Sequence, residues 1–305
     1  MFRIVSSALA PVLLLAVVSP SLHAAPAVDI ETAATVYQEA ATREQVRASL
    51  GTMPNHIRQL FSADTAAKLT DDQLNAVTAA AKRGFRIDVF EVPALVALAA
   101  NLDAETVKKT ESFLTSDAGR RMVAADIAEA KLDEATIDKV MNGEIAYPTT
   151  PKREALFDKL ERAARSTEST VQIFISMGQA VAIGTAVGAG RDPAEVAQSA
   201  RKSGEAGRAA LEQNMREPLR RYLAYGYRDL SDSDLKHMLS FLESPHGKRY
   251  VAANIASMGA GFDAMGRRCG EHLGEKLREL AQAQLDVPAR EPPAIAAPGR
   301  GPLPK

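Results

Sequence analysis

Residues 230–256 read LSDSDLKHMLSFLESPHGKRYVAANIA, and residues 102–128, an offset of 128, read LDAETVKKTESFLTSDAGRRMVAADIA. Without a gap, 13 of the 27 positions are identical. Chance in so alanine-rich a chain gives roughly two or three, so duplication of a helical unit is the better explanation. The offset far exceeds the period of about 20 to 50 residues that marks stacked solenoids, and it points to two related half-bundles. Leu235, Met238, Leu239 and Leu242 fall on one face of a helix that starts at Ser231, and Val107, Phe113 and Leu114 make the less complete counterpart. That helix stops at Ser244, which is placed to cap the next one; Pro245 suits the first helical position and Gly247 follows in the first turn. Ser116, Asp117 and Gly119 hold the same places upstream, as do Arg121 and Arg249 two residues after each glycine. The expectation is a structural helix-to-helix turn in which glycine lets a neighbouring backbone approach closely. In the second helix of each pair Gly247, Val251, Ile255 and Met258, like Gly119, Val123 and Ile127, share one face.

Outward from this unit, nearly all of residues 30–286 favours helix: Ala, Glu, Leu, Gln, Lys and Arg dominate and no sustained period-2 run appears. The expected fold is all-α. Start signals at Thr70-Asp71-Asp72, Asp103-Ala104-Glu105, Ser231-Asp232 and Asp192-Pro193-Ala194-Glu195 predict short helices joined by tight turns, with Glu195 placed to close a capping box. Gly143 can end one helix, and Pro148 and Pro151 separate it from the next, which sets the boundary between an N-terminal helical half, residues 25–147, and a C-terminal half, residues 148–286. Six prolines crowd residues 287–305, so this stretch reads as a disordered tail, passive rather than a ligand.

The segment Tyr225-Gly226-Tyr227-Arg228-Asp229-Leu230, followed by Phe241-Leu242-Glu243-Ser244-Pro245-His246-Gly247-Lys248, resembles the Tyr, Leu, Phe-x-x-Ser-Pro-x-Gly-Lys pattern of domain-of-unknown-function family 2059. The likeness covers residues 215–260 well and residues 85–130 weakly, since Asp117 replaces the proline. It implies a helical bundle in an exported bacterial protein and brings no catalytic residue to transfer.

The N-terminus points the same way. Arg3 supplies a positive start, residues 4–18 an apolar run, and Ser19-Pro20-Ser21-Leu22-His23-Ala24 a stretch ending in a small residue, so a signal peptide over residues 1–24 with cleavage after Ala24 is expected, an uncleaved anchor being the alternative. Composition is globular, with 46% hydrophobic and 25% charged residues. Lys and Arg (37) balance Asp and Glu (38), which argues against a nucleic-acid surface. One cysteine and five scattered histidines suggest no metal site, and no cofactor motif appears: the glycines of residues 184–190 lack the strand and the Lys-Ser/Thr ending of a phosphate loop.

Four features carry candidate chemistry. Glu243-Ser244 matches the Glu-Ser pair of lytic transglycosylases, whose glutamic acid protonates a glycosidic oxygen, but Thr115 stands at the equivalent place and Ser244 already serves as a cap. Cys269 and His272 are three apart on a helix, open to reading as metal ligands, as a thiol beside its base, or as an idle buried thiol, with intermolecular pairing a further option. Tyr222, Tyr225 and Tyr227 beside Arg220, Arg221 and Arg228 make a possible interaction face, although helical spacing splits them and favours packing on the repeat hairpin. Residues 170–190 carry no charge and contain Gly184-x-x-x-Gly188; Gln172, Ser176, Gln179 and Thr185 favour a buried central helix over a membrane span, and a dimer interface fits the same pattern. The combined expectation is an exported, non-enzymatic envelope protein that binds a protein partner or itself. The alternatives are a periplasmic hydrolase with Glu243 as acid and a membrane-inserting protein using residues 170–190.

Overall fold

The computed structural model describes residues 27–50, 58, 69–145, 147 and 149–285, so the expected leader and tail lie outside the described residues. Every regular element among them is a helix: α1 (Ile30–Glu39), α2 (Thr42–Ser49), α3 (Asp71–Lys82), α4 (Ile87–Asn101), α5 (Ala104–Leu114), α6 (Asp117–Ala130), α7 (Glu134–Met141), α8 (Pro151–Ala164), α9 (Ser166–Gly188), α10 (Pro193–Gly226), α11 (Asp232–Glu243) and α12 (Pro245–Leu285). The fold is all-α. Side-chain caps start most of them. Thr70 forms a capping box with Gln73, Asp103 accepts from the Thr106 amide, and Ser231 forms a box with Asp234. Asp192 accepts from the Ala194 amide, and Glu195 takes no part in a box. Gly143 (φ +77°) ends α7 in a left-handed turn, with the Glu144 amide donating to the Lys139 carbonyl at 2.8 Å.

The helices are not all short. α10 runs for 34 residues and α12 for 41, the latter roughly 60 Å at the α-helical rise. Glycines that read locally as interruptions serve α12 as packing surface. Cβ atoms on Gly270 and Gly274 would collide with the Val181 and Thr185 carbonyls of α9, and on Gly184 and Gly188 with the Arg267 and Glu271 carbonyls of α12. The small-residue face of α9 is therefore used within the chain, and α10 covers a second face, where Arg208 donates to Gln172 Oε1 (2.5 Å) and Gln179 to the Ala200 carbonyl (3.4 Å). The expected central burial is only partial, because Phe174 and Val187 are 49% and 47% exposed. Among the described residues α9 is the one helix long and apolar enough to cross a membrane.

The chain leaves α7 and enters α8, which Thr150 caps. The segments on either side nevertheless share one core. α12 lies along α3, α4 and α5, with Phe90 edge-on to Phe262 at 5.2 Å and the buried Ser257 hydroxyl donating to the Ala94 carbonyl at 2.9 Å. Phe90, Phe157, Leu160, Leu235, Met265 and Leu273 are its largest fully buried side chains. Each repeat segment turns its apolar stripe towards the other, α5 onto α12 and α6 onto α11.

Candidate functional site

The repeated turn is built alike in both segments. Ser116 Oγ accepts from the Gly119 amide at 3.1 Å and Ser244 Oγ from the Gly247 amide at 3.0 Å. A Cβ on Gly119 would strike the Phe113 carbonyl and on Gly247 the Phe241 carbonyl. The backbone that approaches each glycine is thus the end of its own preceding helix. Phe113 and Phe241, equivalent residues, stack on each other with centroids 4.3 Å apart and planes 5° apart, so a local two-fold axis passes between the rings. The equivalent arginines each reach the start of the other segment's first helix, although their partners are not equivalent positions. Arg121 reaches Asp234 in the first turn of α11 (2.5 and 3.2 Å), and Arg249 reaches Asp103 at the cap of α5. The Arg121 guanidinium, helped by Ser231, holds the Asp234 carboxyl down at about 2. Ser116, Gly119, Arg121, Ser244, Pro245, Gly247 and Arg249 accordingly shape two turns and join the segments across the axis.

A different constellation lies where α6 meets the end of α10. Asp126 and Glu129, one turn apart on α6, face tyrosines from distant segments. The buried Tyr227 donates its hydroxyl to Asp126 Oδ1 at 2.7 Å, and Tyr222 donates to the Glu129 carbonyl at 3.4 Å. The Glu129 carboxyl rests against Gly226, where a Cβ would collide with Oε2. Burial pushes Asp126 up to about 7, against the opposing pull of the Tyr227 hydrogen bond. Burial first, and the Asp126 charge second, push Glu129 up to about 8. Burial likewise raises Tyr227 and Tyr250, and the Asp126 charge adds to both.

Glu129 forms one wall of a cavity of about 350 Å³, floored by Ala124, Ala125, Ala128, Leu132 and Leu230 and bordered by Arg121, Arg228 and Asp229. A carboxyl that keeps its proton at neutral pH donates a hydrogen bond, here beside an apolar floor and arginine side chains. The three tyrosines do not form one face. Tyr227 is buried beyond the end of α10, Tyr222 turns onto α6, and Tyr225 lies half-buried under the Arg228 guanidinium, 4.1 Å from its ring centre. Tyr222 and Tyr227 pack on α6, whereas Tyr225, which helical spacing places on one face with Tyr222, lies under Arg228 instead. In the sequence one signal marks the two acids: at the offset of 128 they stand opposite the neutral Asn254 and Ser257.

The other candidates stay apart. Glu243 is exposed in a groove with Lys159, Arg162, Ala163, Leu242 and Lys248, without a second carboxylate among these lining residues. Cys269 is fully buried, its Cα against Gly84, and burial pushes its thiol up to about 12. His272 pairs with Glu275 at 3.3 Å, while Glu271 binds Arg268. Among the described residues no three His, Cys, Asp or Glu side chains are grouped to hold a metal ion. The chain matches no protein-family model, no curated protein and no solved structure.

Proposed function

We propose that the chain is an exported envelope protein without catalytic chemistry of its own, which binds a partner by taking a small group of it, apolar apart from one carbonyl or hydroxyl, into the cavity beside Glu129. The observation that carries this reading is the cavity wall: a carboxyl kept protonated by burial, next to alanine and leucine side chains, suits hydrogen bonding to a carbonyl or hydroxyl of an inserted group. Export rests on residues 1–24 and on the likeness to the exported family. The hydrolase reading draws less support, because lysine and arginine side chains, not a second carboxylate, surround Glu243. Membrane insertion draws less as well, since α9 already spends its glycine face on α12 and its glutamines on α10.

A photo-cross-linking amino acid placed at Leu132 and at Asp229 in the full-length chain, expressed in its native host, should give a discrete adduct that the same probe at Arg201, exposed on α10, does not. Glu129→Gln, which keeps a neutral donor, should retain the adduct. Equal labelling from Arg201, or a cell-wall hydrolysis that Glu129→Gln or Glu243→Gln abolishes, would overturn the proposal.

A further inference from the structure

The local two-fold axis opens onto a groove of about 510 Å³ that the motif analysis left unused. Its lining comes in equivalent pairs from the two repeat segments: Lys109 with His237, Ser112 with Ser240, and Phe113 with Phe241. The half-buried Phe241 stacks on the buried Phe113 to give a narrow apolar strip, and His237 lies near-parallel to the Phe113 ring at 5.9 Å. Neither Lys109 nor His237 has an ion pair among the described residues, and the Ser112 and Ser240 hydroxyls have no hydrogen bond there. His246, also at the groove, is already engaged by Thr106 (3.3 Å) and Glu105 (3.4 Å). What remains is two free nitrogen-bearing side chains in symmetry-related places, each with an unused hydroxyl one helical turn further along, separated by an apolar strip.

We infer that this groove binds a small organic dianion, two carboxylates joined by a short carbon chain, with Lys109 and Ser112 holding one end and His237 and Ser240 the other. A charge-assisted hydrogen bond at each end exceeds a neutral one in strength, and the carbon spacer lies against the half-buried Phe241. Two equivalent ends select for two charges. The inference is independent of the Glu129 cavity, which lies between other elements.

The test is a nuclear magnetic resonance titration of the mature chain with succinate and with acetate, at matched ionic strength and about pH 6. Succinate should saturate with shifts centred on Ser112, Phe113, Ser240 and Phe241, and should bind at least about tenfold more tightly than acetate. Lys109→Gln and His237→Gln, both at exposed positions, should each weaken succinate about fivefold or more, with unchanged circular dichroism. Lys159→Gln, in the Glu243 groove, should leave it unaltered. Succinate no better than acetate, shifts scattered over unrelated lysines, affinity that survives both groove substitutions, or binding only by a glutamate-rich peptide would overturn the inference.

Discussion

Asp126→Asn exchanges an ionisable oxygen for an amide group while keeping an oxygen to accept the Tyr227 hydroxyl, and Asn is what the later repeat segment carries at the equivalent Asn254. Burial raises Asp126 from 3.8 to about 7, so the folded chain retains a proton that the unfolded chain releases. The stability tied to that proton is fully present below about pH 4 and is lost as the pH rises through 7. A shift of about three units corresponds to roughly 4 kcal/mol. Asp126 keeps some contact with solvent, which screens its charge, so ~2 kcal/mol is the expected change between about pH 4.5 and about pH 8. Urea denaturation of the wild-type and variant chains, followed by far-ultraviolet circular dichroism, reads the difference directly, since the titration of groups away from Asp126 largely cancels. The variant should gain on the wild type as the pH rises and be the more stable at about pH 8. The same substitution removes a charge that holds Glu129 up, so the Glu129 carboxyl should titrate lower in a carbon-detected pH series. A stability difference that is constant across the range, or that shrinks with rising pH, would refute the reasoning.

Two further outcomes test the packing. Gly178→Ala and Gly184→Ala make the same change on one helix: nothing lies within 4 Å of a Cβ at Gly178, whereas at Gly184 it meets the α12 backbone. Thermal denaturation should show the first stabilising by about 0.5 to 1 kcal/mol and the second destabilising by roughly 1 to 3 kcal/mol. Arg249→Met should cost more stability than Arg121→Met, because Arg249 is 31% exposed and Arg121 54%, while Asp234, at 10% exposed beside 16% for Asp103, keeps the Ser231 hydrogen bonds when Arg121 is removed; equal losses in chemical denaturation would remove burial of the arginine as the deciding factor.

What could be read in the sequence followed from local rules, and what could not depended on distant segments. The stripe of Leu235, Met238, Leu239 and Leu242 is buried as its spacing requires, and the Ser-x-x-Gly turns cap as their residue types require, since both depend on near neighbours. The length of α12 was illegible because glycine lowers local helix propensity, and only the α9 backbone, some ninety residues away, turns Gly270 and Gly274 into contact surface. The repeat made Phe113 and Phe241 equivalent without stating that they touch, since a repeat fixes identity and leaves pairing open. The acids are the sharper case. On α12 the equivalent positions are neutral, and Ser257 donates to the Ala94 carbonyl inside the core. On α6 Asp126 and Glu129 meet Tyr227, Tyr222 and Gly226 from a helix about a hundred residues away, and burial there disfavours their charged forms. A helix pair that accommodates neutral groups in one segment has no structural need for carboxyls in the other. The acidic version adjoins the cavity, which is why the departure from the repeat, more than the repeat itself, marks the place to look for binding.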